Sequence, residues 1–341
     1  MDVKDSGGWA ADAPRADAPR ADALRAHAPR LGVSRCLLGE AVRYDGGHKR
    51  DRFLTDVLGP HVVYVPVCPE VECGLSVPRE ALRLVGNHES PRLVTVRGGQ
   101  DLTQRMNDWA AAKVAELARA DLSGFVFTYG SPSSGMGRVK VYPEGGGAPA
   151  LKGRGLFAAR LMDAMPLLPV EDEGRLNNPT LRENFIERVF VMGRWRGLLA
   201  SGFSLGGLVD FHSRHKLLIM AHSVEHYRAL GRLAAQGAAM TPESLRTAYI
   251  SGLMEALRLA ATVKKHVNVL SHVMGYFKRR LSADEKRELL EVIDAYAREL
   301  TPLIVPVTLL NHYVRKFGET YLAGQWYLHP HPAELKLRNH V

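Results

Sequence analysis

The sequence predicts two unlike halves, an α/β layered domain with a largely parallel sheet and then an all-α helical domain, behind a low-complexity tail. Apolar strand-like runs alternate with helical stretches from Leu31 to about Val170, the pattern of an α/β layered domain. Beyond Asn177-Asn178-Pro179-Thr180 the apolar residues recur at helical spacing. Ahead of both, Ala-Asp-Ala-Pro-Arg occurs at 11–15 and again at 16–20.

Taken in order, residues 1–30 balance five Lys/Arg against five Asp and carry almost no large apolar side chains. Such a segment cannot offset its ordering entropy. It reads as a disordered tail, with a partner tether or an over-extended start as the alternatives. The α/β domain is expected over 31–175, with strands at 31–35, 62–67, 93–96, 124–128, 139–142 and 167–170. Its helices fall at 102–119 and 156–165. The first opens at Asp101-Leu102-Thr103-Gln104, which resembles a capping box. A connecting segment, 176–207, holds a helix at 181–199. The helical domain, 208–341, has helices at 208–236, 242–259, 264–281, 283–300 and 303–316.

The 341 residues suffice for two domains. No apolar run approaches the roughly 18 residues of a membrane span, and the N-terminus has no apolar core of a secretory signal. Three cysteines are too few for a disulfide framework. A reducing cytoplasm is the expected setting, where a cysteine is catalytic, metal-binding or simply buried. The net charge of +9 favours an anionic partner, a nucleotide or a nucleic acid.

Ligands of open α/β sheets bind at the carboxyl ends of the strands. Three such ends carry chemistry here. Val33-Ser34-Arg35-Cys36 ends in a thiol, as does Val65-Pro66-Val67-Cys68, and Gly130-Ser131-Pro132-Ser133-Ser134-Gly135 forms a hydroxyl-rich loop. The loop from Tyr44 to Lys49 adds Asp45, His48 and Lys49 around two glycines. It reads equally as an anion or substrate pocket and as a plain turn. Arg79, after Pro78, contacts substrate or lies on the surface. Ten of the fourteen histidines fall in the helical half. On one continuous helix His212, His215, His222 and His226 would share a face about 80° wide. That face is a metal site or a set of buried, hydrogen-bonded imidazoles. Lys264, Lys265, Lys278, Arg279, Arg280, Arg315 and Lys316 make the helices basic, as a nucleic-acid cradle or as solvated faces.

The motifs Ser-Arg-Cys-Leu-Leu-Gly, Arg-Tyr-Asp-Gly-Gly-His-Lys, Val-Cys-Pro-Glu-Val-Glu, Pro78-Arg79 and Ser-Pro-Ser-x-Gly together resemble the thiouracil desulfurase family. Phe211-His212-Ser213-Arg214-His215-Lys216, His266-Val267-Asn268 and His331-Pro332-Ala333-Glu334-Leu335 resemble a helical domain of unknown function often fused behind it. The likeness covers about residues 31–340. It implies a 4Fe–4S cluster held by three cysteines, whose free iron takes sulfur from a thiolated pyrimidine of the 2-thiouracil type. Thiolates are the usual ligands of such clusters. By the same resemblance Cys36 and Cys68 match two ligands, Glu70 handles protons, and Ser131 and Ser133 position substrate or cluster.

The third ligand position holds Ser134. Three readings stay open: ligation by the Ser134 alkoxide, substitution by Cys73, or an absent or labile cluster. The expectation is therefore a desulfurase-like protein with its third cluster corner altered. The alternative is a non-catalytic relative that binds a nucleotide or nucleic acid through its basic helices.

Overall fold

A computed structural model describes residues 28–340; residues 1–27, most of the expected tail, lie outside the described residues. The described residues lead into β1 (Arg30–Ser34), whose last four residues are buried. Arg30, assigned to the tail on sequence, is the first strand residue and pairs with Val63 and Leu122. A π-helical turn, Phe53–Leu58, leads into β2 (Val63–Val67). Then come a single helical turn α1 (Pro69–Glu72), β3 (Leu82–Val85) and β4 (Arg92–Thr95). The helix α2 (Thr103–Ala118) follows, then β5 (Leu122–Phe127), β6 (Val139–Tyr142), β7 (Ala150–Gly153), α3 (Leu156–Ala164) and β8 (Val170–Asp172).

These strands form two sheets. The first runs β2-β1-β5-β8 and is wholly parallel; the second runs β4-β3-β6-β7, with only β3 and β6 parallel. β5 is central and buried at all six positions, as expected of a strand covered on both faces. β3 and β7 are absent from the sequence expectation, and β8 begins three residues later than expected. The expected capping box at the start of α2 is only half made. Asp101 Oδ1 accepts from the Thr103 N–H at 2.8 Å, with no reciprocal bond from the helix.

Helix α4 (Pro179–Ala200) joins the halves, starting behind the Asn178 cap. Its first turns place Phe185, Ile186 and Val189 in the core under β1. Its later turns place Val191, Met192 and Trp195 in the core of the helical half. Gly124 of β5 marks the crossing, because an added Cβ there would lie 2.7 Å from Val189 Cγ2. Overpacking at such a contact typically costs about 1–3 kcal/mol.

The helical half comprises α5 (Leu205–His222), α6 (Val224–Ala235), α7 (Pro242–Arg258), α8 (Val263–Gly275), α9 (Ala283–Ala297), α10 (Ile304–Phe317) and the short α11 (Thr320–Ala323). The single helix expected over 208–236 is two. Ser223 is extended, with ψ 117°, and its hydroxyl caps α6 by accepting from the His226 N–H. His226 therefore leaves the helix that carries His212, His215 and His222, which corrects the shared face. The chain then returns to the α/β half, where Leu335 and Leu337 join the core under β1. Among the described residues no helix is long and apolar enough to cross a membrane.

Candidate functional site

Three neighbouring parallel strands release their chains on the same side. β1 is followed by the turn that carries Cys36, β2 directly by Cys68, and β5 by the loop Thr128–Ser134. A cavity of about 290 Å³ opens there. Cys36, Cys68, Glu70, Arg79, Ser131 and Ser134 all line it, so residues up to 98 positions apart meet at one sheet edge. Their backbones are fixed by short local motifs. Gly39, with φ 95°, closes the turn after Cys36, and Cys68 caps α1 with Pro69 in its first turn. The Cys68 N–H donates to Glu72 Oε1 at 2.8 Å, and Glu72 is in turn paired with Lys113.

Most polar groups of the site have a partner that orients them. Cys36 Sγ lies 3.3 Å from Thr128 Oγ1, and the Thr128 N–H donates to Ser34 Oγ at 3.1 Å. Cys68 Sγ donates to Glu70 Oε2 at 3.6 Å. The other carboxylate oxygen of Glu70 accepts from the Ser133 hydroxyl, which lies 3.0 Å from Ser131 Oγ. Ser131 Oγ also accepts from the Ser134 N–H at 3.1 Å. Arg79 sits 3.9 Å from Glu70 and donates to the Val42 carbonyl at 3.0 Å. Its side chain is only 9% exposed, and its buried Nε has no hydrogen-bond partner among the described residues. It is a cavity-wall arginine, not a surface one.

Burial pushes the Cys68 thiol up to about 12, reinforced by the Glu70 carboxylate. Burial also raises Cys36, against the lowering effect of its Thr128 bond. Both thiols are thus protonated at neutral pH in the ligand-free protein.

The remaining predicted residues lie elsewhere. Asp45 accepts from the Gly47 N–H in an exposed turn, and His48 Nδ1 accepts from the Arg50 N–H. Lys49 is ion-paired with Glu173, whose other oxygen takes the Tyr129 N–H at 2.6 Å. Of the loop Tyr44–Lys49, only Tyr44 reaches the cavity wall. Cys73 does not line the cavity. Its thiol donates to the Glu70 carbonyl at 3.3 Å and packs against the core of the second sheet. Burial raises its pKa as well, while Arg105 pulls it down.

Two further residues shape the site. Thr128 holds Cys36. Gly155 lets α3 abut the serine loop, since a Cβ there would lie 2.4 Å from the Ser133 carbonyl carbon and 2.7 Å from the Ser134 N. The only sequence trace of Gly155 is a glycine directly before a helix, which also marks any ordinary cap.

In the helical half, the four histidines find separate partners. His212 meets the Tyr249 hydroxyl, and His215 meets the Phe211 carbonyl and Arg194. His222 meets Glu187, and His226 meets Ser223. Among the described residues no group of three or more His, Cys, Asp or Glu is placed to hold a metal ion.

The comparisons with known proteins join this geometry to a family. Residues 31–173 match the family model described as 2-thiouracil desulfurase, and residues 216–332 match a protein of unknown function, DUF1722. The chain belongs to both families, one after the other. The uncharacterised protein YbgA of Escherichia coli K12 is 31% identical over 165 residues, 48% of this chain and 98% of that protein. The uncharacterised protein YbbK of Bacillus subtilis 168 is 29% identical over 138 residues, 39% of this chain and 89% of that protein. A solved structure, the [4Fe-4S]-dependent thiouracil desulfidase TudS, is 30% identical, covering 44% of this chain and 93% of that one with a TM-score of 0.37.

The family resemblance implies a cluster, and the donor set tests it. The three strand ends supply two thiols and one hydroxyl. Iron–sulfur clusters are held by thiolates, and an aliphatic hydroxyl is far less acidic than a thiol. The only other cysteine is turned into another core. The residues present do not fit a cluster held by three thiolates, and no chemical step is derived through one.

Proposed function

We propose that the α/β half is a desulfurase-like domain whose cavity binds a thiolated pyrimidine of the 2-thiouracil type. The convergence of Cys36, Cys68, Glu70 and Arg79 on one cavity of about 290 Å³ supports this most strongly. A single planar heterocycle suits that volume, which lies at the small end of ligand pockets. Thiol side chains are soft, polarisable neighbours for a thiocarbonyl sulfur. Arg79 lines the cavity, and its guanidinium is a charged donor for a ring carbonyl oxygen. Glu70 holds or moves a proton at its carboxylate, where Ser133 and Cys68 already converge. It can therefore accept a hydrogen bond from a ring N–H.

Titration calorimetry with 2-thiouracil and uracil tests this. We expect 2-thiouracil to bind more tightly than uracil. Arg79→Ala should weaken it about tenfold, the equivalent of about 1.4 kcal/mol. Absence of binding by either base, or equal binding indifferent to Arg79, would overturn the reading.

The alternative, nucleic-acid binding through basic helices, loses part of its free charge in the structure. Lys316 pairs with Glu285 and Arg280 with Glu319, while the Lys265 ammonium is tied to the carbonyls of His222 and Ala260.

A further inference from the structure

We infer that a thiol at position 134 is the donor this cavity lacks, so that the native cavity keeps no iron–sulfur cluster and Ser134→Cys installs one. This rests on the reading of the α/β half as desulfurase-like, and concerns what its cavity can hold.

The first ground is that the frame around position 134 is rigid and already aimed. Ser134 is 3% exposed and lines the cavity with both thiols. The Ser134 N–H is tied to Ser131 Oγ, and the Gly135 N–H donates to the Ser131 carbonyl at 2.8 Å. The Ser133 carbonyl accepts from the N–H groups of Phe157 and Ala158 at 3.0 and 3.1 Å, pinning the loop to α3. Gly155 lets the helix lie directly on the loop backbone. A side chain at 134 thus leaves a backbone that cannot swing. Replacing the hydroxyl by a thiol changes the donor without changing its direction.

The second ground is that Cys73 cannot take the role. It closes α1 and does not line the cavity, and its N–H is bonded to the Pro69 carbonyl at 2.9 Å. Its carbonyl accepts from Arg105 Nε at 2.7 Å, and its side chain packs against the separate core of Leu84, Leu93 and Met106. Bringing that thiol to the cavity requires unwinding α1, which carries Glu70 and is capped by Cys68.

The test is anaerobic reconstitution of the full chain with ferrous iron and sulfide, desalting, and measurement of iron per chain together with the visible absorption spectrum. Native protein, Ser134→Cys, Ser134→Ala, Cys73→Ala and the double variant Ser134→Cys/Cys73→Ala are compared, with circular dichroism as the check of folding. The expected result is that native protein, Ser134→Ala and Cys73→Ala keep no iron after desalting. Ser134→Cys and the double variant keep about four irons per chain with a thiolate-to-iron band. A native cluster lost in Ser134→Ala would overturn the inference in favour of hydroxyl ligation, and one lost in Cys73→Ala in favour of Cys73. A folded Ser134→Cys variant without iron would overturn it by showing that more than one side chain is missing. The readout is independent of pyrimidine binding. Failure of 2-thiouracil to bind, with iron gained by Ser134→Cys, removes the proposed ligand and leaves this inference standing.

Discussion

In the α/β half, polar side chains gather at strand ends and face a cavity; in the helical half, they gather at a helix crossing and are consumed by one another. Arg338, 3% exposed, reaches Glu183 at 3.2 Å, Glu187 at 3.5 Å and the Tyr327 carbonyl at 2.6 Å. His222 lies 2.5 Å from Glu187, His340 lies 3.0 Å from Glu183, and His266 meets the Tyr327 hydroxyl at 3.1 Å. Here carboxylates meet cations inside the fold. At the strand ends Glu70, Arg79 and both thiols border a cavity. The helical network holds the return of the C-terminal segment onto α4, while the strand-end groups face open space. Unpaired buried polar atoms do not separate the two halves, since they include Arg79 Nε in one and Arg194 Nη2 and His331 Nε2 in the other; what separates them is the cavity.

The largest effect should come from breaking the closed network. Arg338→Ala leaves Glu183 and Glu187 buried without their shared cation, and removing one partner of a buried ion pair costs about 3–5 kcal/mol. Urea unfolding should report that loss. Arg79→Ala should cost much less stability and act on 2-thiouracil affinity. Similar stability losses in the two variants would abolish the distinction between the centres.

The pH dependence should divide the halves next. Burial pushes the Glu187 carboxyl up, but His222 and Arg338 together hold it down to about 2, below its ordinary 4.5. Its contribution is complete above pH 4.5 and is lost as pH falls towards 2. Burial, helped by Arg338, lowers His266 from 6.5 to about 3. The unfolded chain then takes up that proton first, so stability also falls from pH 6.5 downwards. Cys68 is raised from 9.0 to about 12, and its contribution is lost as pH climbs through that interval. Urea midpoints across pH should therefore show an acid limb flattened by Glu187→Gln and an alkaline limb flattened by Cys68→Ala. An acid limb unchanged in Glu187→Gln would break the assignment for the helical half.

A smaller loss is expected at the loop support. Gly155→Ala drives a methyl group into the Ser133–Ser134 backbone, an overpacking of about 1–3 kcal/mol. Because the displaced loop carries Ser131 and Ser133, 2-thiouracil affinity should fall about tenfold. Calorimetry finding native affinity in a folded Gly155→Ala protein would show that the serine loop does not shape the cavity.

How much of this was legible beforehand depends on whether the deciding contact was local. β1 and β5 read clearly because a covered parallel strand is a continuous apolar run, and β2, although a half-exposed edge strand, carries an apolar Val-Tyr-Val-Pro-Val run; their ends located both cavity thiols and the serine loop. β7 did not, because three of its four residues are exposed and leave no alternation to detect; β3 did not either, although β4 and β6, equally short, did. The break at Ser223 was hidden because apolar spacing continues through it, and only the capping hydroxyl marks the end. Cys73 was indistinguishable from a substitute ligand, since composition does not say which side of a one-turn helix a thiol will take. The closed network joins residues up to 157 positions apart, His340 to Glu183 among them, and no spacing rule connects those.

The finest test uses the three cysteines, all of which belong to the α/β half. Cys36 and Cys73 are both half-buried, but only Cys36 lines the cavity; Cys68 lines it and is 5% exposed. Alkylation followed site by site with mass spectrometry should be slow at Cys68, where burial limits access and the raised pKa keeps the thiolate scarce. Saturating 2-thiouracil should then slow alkylation of Cys36 severalfold and leave Cys73 unchanged. Equal protection at Cys36 and Cys73 would mean that the ligand tightens the whole domain instead of filling the cavity. Protection at neither would place it elsewhere. A selective effect at Cys36 would show that two cysteines alike in exposure are separated by whether they line the cavity, Cys36 after β1 doing so and Cys73 at the end of α1 not.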